Sequence, residues 1–126
     1  MARYDKVEPL GGSFRAQLAA DWAAADGVPI GVGLDTTGKV VPGAGNTGIL
    51  GVVVLVGIQK KAGDIVDVMT DGEIVELGKE TAEVDVAAGT VVYGVAATGA
   101  LTTTATGNVR LGHTVEANRL VVRAAR

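Results

Sequence analysis

GAGNTGILGVVVLVGI, residues 43–58, decides the fold. Its first six residues spell G-x-G-x-x-G, the spacing of a dinucleotide-binding loop, where a preceding strand and a following helix aim the helix N-terminus at a pyrophosphate. Here the loop runs into Ile49-Leu50-Gly51-Val52-Val53-Val54-Leu55-Val56, a β-branched run with the composition of a strand. With no helix behind it the loop reads as an inter-strand connection, and nucleotide binding is set aside.

Working outward, the chain past residue 27 continues in short Val-rich runs punctuated by Gly, Thr, Asn and Asp. Strands are predicted at Gly31–Leu34, Val40–Val41, Ile49–Ile58, Glu83–Val86, Val91–Ala96, Val109–Val115 and Arg119–Arg123. The segment 65–77 reads as a hairpin: Ile65–Met69, a turn at Thr70-Asp71-Gly72, then Glu73–Leu77. Asp-Gly tolerates the positive φ of a tight turn. The expectation is an all-β fold, a small β-barrel or β-sandwich of about 8–10 short strands.

Sliding the sequence by 61 residues lays 31–53 on 92–114. Gly33 falls on Gly94, Thr37 on Thr98, Gly38 on Gly99, Ala44 on Ala105, Leu50 on Leu111 and Gly51 on Gly112, with Val40 on Leu101. The matches occupy turn glycines and apolar strand positions, so each half reads as strand, Thr-Gly turn, strand, Gly-rich loop, strand. An internal strand-turn-strand duplication is therefore expected. The second copy, Thr104-Ala105-Thr106-Gly107-Asn108-Val109, lacks the glycine triplet, as befits a plain loop.

SFRAQLAADWAAADG, 13–27, supports two readings. Phe14, Leu18 and Trp22 stack at helical spacing, and Ser13 and Gly27 could cap the ends. Phe14, Ala16, Leu18 and Ala20 also alternate with Arg15, Gln17 and Ala19, as in a half-buried strand. Alanine favours helix; the all-β surroundings favour a strand through about Ala20. Trp22 and Tyr93 are read as core. Before this segment, MARYDKVEPLGG (1–12) suits an extended N-terminal arm, since Pro9 and Gly11-Gly12 favour an irregular path, and residues 13–126 are expected to form a single β domain.

The chemistry is sparse. There is no cysteine, one histidine (His113) and one serine (Ser13), so thiolate metal sites are excluded and a Ser-His-acid triad would need both single residues. Ser13 lacks a nucleophile-elbow context. His113 reads as a strand side chain. Eight acids between Asp64 and Asp85 face only Lys79, but their spacing does not fit a calcium loop. They read as a solvated or partner-facing surface. Net charge is −3, which gives no basic footprint for nucleic acid, and no run is long enough for a membrane helix. No enzyme and no cofactor are expected.

The runs LGGSFRAQLAADWA (10–23), GVGLDTTGKVVPGAGNTGILGVVV (31–54), KKAGDIVDVMTDGEIVEL (60–77), AAGTVVYGVAATGALTTT (87–104) and LGHTVEANRLVVRAAR (111–126) together resemble the small β-rich capsid decoration proteins of tailed bacteriophages. The most telling parts are Ala-Gly-Asp-x-Val with its Asp-Gly turn, Ala-Ala-Gly-Thr-x-x-Tyr, and the closing Leu-Gly-x-Thr-Val-Glu…Val-Val-Arg. The resemblance implies a homotrimer on the outer capsid surface that bridges neighbouring major capsid protein subunits, reached from the host cytoplasm during assembly. Within the arm, Arg3, Tyr4, Lys6, Val7 and Glu8 are the candidate capsid-contact residues, because aromatics and arginines anchor interfaces. The rival reading is a virion-surface carbohydrate- or receptor-binding module, for which four aromatics leave few to display.

Overall fold

The computed structural model describes residues 13–57, 60–77 and 86–124. Among the described residues ten strands appear in chain order: β1 Ser13–Gln17, β2 Ile30–Leu34, β3 Val40–Pro42, β4 Gly51–Val53, β5 Ile65–Met69, β6 Asp71–Glu76, β7 Val91–Gly94, β8 Leu101–Thr102, β9 Val109–Glu116 and β10 Arg119–Arg123. They form two five-stranded antiparallel sheets in a sandwich-like arrangement, ordered β1-β5-β4-β2-β3 and β6-β10-β9-β7-β8. The first sheet uses only the first five strands and the second only the last five. The spatial order is the same in both, so the duplication read from the sequence extends over the whole five-strand unit.

The sequence match is one residue out of step at one place. Asp35 N–H bonds Lys39 O, whereas Val95 N–H bonds Ala100 O, so the second turn holds one residue more. The Thr-Gly turns and the strands after them keep the expected correspondence. β7, however, lies one residue back, which puts buried Val92 on buried Val32 and dissolves the match of Gly33 with Gly94.

The predicted hairpin at 65–77 is not formed. Both edges of β5 are occupied, one by β1 (Ser13 opposite Met69 through Gln17 opposite Ile65) and the other by β4. β6 pairs instead with β10. The chain leaves the first sheet at Met69 and enters the second at Asp71, and Gly72 uses its positive φ of 98° next to this corner. The Asp-Gly signal located a change of direction, not a pairing. The tight two-residue hairpin lies between β9 and β10, where Glu116 faces Arg119 and Asn118 takes φ 61°.

Residues 13–17 form a strand. Phe14 and Ala16 pack against the apolar cluster of the first sheet, while Arg15 on the other face reaches Asp67 across the β1–β5 ladder at 2.9 Å. Leu18 then makes a single parallel bridge to Val40, so the edges of the first sheet meet without closing a barrel ladder. The expected strand 49–58 shrinks to Gly51–Val53. Of the expected strand 83–86, only Val86 lies within the described residues, and it is not in a strand.

Each sheet has its own apolar cluster. Leu18, Trp22, Val32, Val40, Val53, Val66 and Val68 form the first. Val75, Leu77, Val86, Val92, Leu101, Leu111, Leu120 and Val122 form the second, which also takes in Ile49 and Val52 from the first sheet. Alternation along β4 makes this possible, since Val52 and Val53 point to opposite faces and serve one cluster each. The sheets also touch through backbone. Ile30 bridges Ala100, Gly31 N–H donates to Gly99 O at 2.7 Å, and Ala44 N–H to Ala96 O at 2.8 Å.

Candidate functional site

The sparse chemistry of the sequence stays dispersed. Ser13 opens β1 in the first sheet and His113 sits in β9 of the second, facing Val91 and Val121 across the ladder. Among the described residues, no three His, Cys, Asp or Glu side chains come together as a metal site. Of the acidic run, Asp67 pairs with Arg15, and Asp64 accepts the backbone N–H of Lys61 at 2.9 Å within a turn. These are structural uses of carboxylates, and none of them leaves a base poised beside a nucleophile.

Polar side chains instead fix loops. The Asp35 carboxylate accepts from Thr37 N–H at 2.9 Å, Thr37 Oγ1 at 2.7 Å and Lys39 N–H at 3.0 Å. Those bonds, led by the Lys39 amide, hold its pKa below the ordinary value. Asp26 is likewise lowered, first by its hydrogen bond from Lys60 and then by that lysine's charge. Together with Ala62 N–H on Asp21 and Trp22 N–H on Lys60 O, this ties the segment carrying buried Trp22 to the 60–62 turn. In the second sheet Asn118 does the joining. Its amide oxygen accepts Val86 N–H at 2.7 Å, its own N–H donates to Val86 O, and its carbonyl accepts Leu77 N–H. The sequence reading missed Asn118, although an asparagine between two strand runs is the residue that tolerates the left-handed conformation.

A cleft lies at the β4–β5 seam. That ladder consists of one pair, Val52 opposite Met69. Beyond it the chains diverge around a cleft of about 420 Å³ lined by Val54, Leu55, Val56 on one side and Ile65, Val66, Asp67 on the other, with Ser13 and Met69 at the end. Val56 and Ile65 are 70% and 54% exposed, the two most exposed large apolar residues described. Ser13, the first described residue, lines this cleft. Arg3, Tyr4, Lys6, Val7 and Glu8 themselves lie outside the described residues. Among the described aromatics none is exposed: Trp22 is buried, and Phe14 and Tyr93 are half-buried.

No curated protein matches the chain. A chain from a solved structure of Mycobacterium phage Patience shares the fold, with a TM-score of 0.72 at 21% identity over 97% of this chain and 95% of that one. The phage cement protein family matches residues 11–120, which takes in both copies of the five-strand unit up to the start of β10. With that match over most of its length, the chain belongs to the phage cement protein family, whose role is structural and whose place is on the capsid of the virion.

Proposed function

We propose that the protein binds the outer surface of the assembled capsid as a homotrimer and cements neighbouring major capsid protein subunits. Residues 13–126 act as a single β domain and residues 1–12 as an arm. Family membership over residues 11–120 is the observation that carries this reading. In the arm, Arg3, Tyr4, Lys6, Val7 and Glu8 make the capsid contacts, and the exposed Val56 and Ile65 beside the arm's root extend the same contact surface.

The physics of such a role asks for no reactive group. A ligand that binds the assembled lattice and not free subunits lowers the free energy of the shell alone. Three arms on one body raise the effective concentration of each, so weak protomer contacts add to a durable hold. The carbohydrate-binding alternative needs displayed aromatic rings, and none of the described aromatics is exposed.

Deleting residues 2–10 and measuring occupancy of undecorated particles by cryo-electron microscopy tests the arm. Occupancy is expected to fall at least tenfold with the circular dichroism of the β domain unchanged; undiminished occupancy overturns the assignment.

A further inference from the structure

The two sheets are copies, yet one contact between them has no second half. The turn Val95–Ala100 of the second sheet docks on the first, with Ala100 against Ile30 and Gly99 O on Gly31 N–H. Gly99 is buried there. The equivalent turn of the first sheet, Asp35–Lys39, has Gly38 at that place and docks on nothing among the described residues. Thr36 to Lys39 are all exposed, and a Cβ placed on Gly38 meets no atom within 4 Å.

The second sheet carries the matching vacancy. Val95 directs its N–H to Ala100 O, so Val91, four residues earlier on the same strand, presents its peptide groups to that same edge. β8 covers β7 only at Tyr93 and Gly94. Among the described residues no strand lies beside Val91 on that edge, whereas the corresponding Gly31 is covered by Gly99 and Ala100.

We propose that a second copy of this chain fills the vacancy: the Asp35–Lys39 turn of one protomer pairs with the Thr90–Val91 edge of the next. The junction that joins the two sheets within a chain is thereby repeated between chains. Such a contact is heterologous, turn to edge, and its repetition closes a head-to-tail ring. The three bonds to the Asp35 carboxylate hold the turn in shape before docking, which lowers the ordering cost of association. Thr104 stands where the first copy has Gly43, whose added Cβ would lie 2.5 Å from Ala96 O, so the loop part of the junction is not repeated and the edge pairing is what the two contacts share. Ring size rests on the homotrimer reading; the contact itself does not.

The chain has no cysteine, which makes a disulfide test clean. Lys39→Cys with Thr90→Cys places thiols on the counterparts of Ala100 and Ile30. Antiparallel partners stand about 4.5–5.5 Å apart at Cα, within disulfide reach. Ile30→Cys with Ala100→Cys calibrates the oxidation within one chain. The Lys39/Thr90 pair is expected to give a covalent ladder ending at a closed trimer on non-reducing gels, in purified protein or on decorated particles. Adding Val91→Pro, which removes the edge N–H, is expected to cut that yield at least tenfold. Monomer in both settings, with the control pair fully oxidised, overturns the proposal, as does a yield indifferent to Val91→Pro. Decorated particles without this cross-link sink the ring and leave the capsid reading standing; a cross-linked ring that never binds capsids does the reverse.

Discussion

Gly38 and Gly99 occupy the same place in the two copies of the turn and have nearly the same φ, 83° and 79°, but different surroundings. Alanine at either site carries the strain of a left-handed backbone, about 1 kcal/mol. At Gly38 that is the whole cost, because the new Cβ meets nothing within 4 Å. At Gly99 the Cβ falls inside the van der Waals radius of Gly31 O and 2.8 Å from Gly43 N. The turn must then lift off the first sheet, breaking the bond from Gly31 N–H to Gly99 O. A buried amide left unpaired costs about 1–3 kcal/mol, which brings Gly99→Ala to about 3 kcal/mol in total. Urea unfolding of both variants in dilute solution measures the gap directly. Equal destabilisation, to within about 0.5 kcal/mol, would refute the claim that one turn is a sheet-to-sheet junction and the other is not.

Thr114→Val removes a buried hydroxyl that donates to Ala87 O at 2.6 Å and accepts Thr90 N–H at 3.0 Å. A loss of about 2 kcal/mol is expected in the same assay. Asn118→Ala gives up the bond to Val86 N–H and takes on left-handed strain, with a similar loss of about 2 kcal/mol; Asn118→Gly recovers the strain part only. Val56→Asp with Ile65→Asp changes two exposed residues, so unfolding is expected to shift by no more than about 0.5 kcal/mol while particle occupancy drops. Asp26 and Asp35 both have pKa values lowered from 3.8 on folding, so their contribution is full above that value and is lost as pH falls through the lower folded-state values. Both are exposed and the effect is small; Asp35→Asn is expected to flatten the acid side of the stability profile, which a urea midpoint series from pH 6 to pH 2 reads out.

Strand positions were largely legible, because period-two alternation and turn glycines are local properties. Arg119–Arg123 appears as predicted, and Val109–Glu116 is one residue longer than predicted. Pairing was not legible at 65–77, since two adjacent apolar strands joined by Asp-Gly meet every local condition for a hairpin. What decides against it is distant: β1 and β4 already flank β5, and β10 offers β6 an edge. The long run 49–58 misled in a related way. Hydrophobicity alone could not tell that Val54–Val56 leave the ladder to wall a cleft. The self-match found the duplication through its Thr-Gly turns but could not detect the extra residue between Val95 and Ala100, which only the hydrogen bonds disclose. The structural, capsid-associated role was legible through family likeness, while Asn118 and the Val91 edge, uncovered among the described residues, emerge only when the strands are assembled.

Because β1 pairs with β5 and β6 with β10, neither half borrows a strand from the other. A nascent chain can therefore complete its first sheet once Met69 has left the ribosome, with Ile49 and Val52 waiting as a sticky patch for the half still being made. The same self-sufficiency explains how a gene could double such a unit in one step: each sheet arrives with all its ladders internal, and only the seam between them had to be invented.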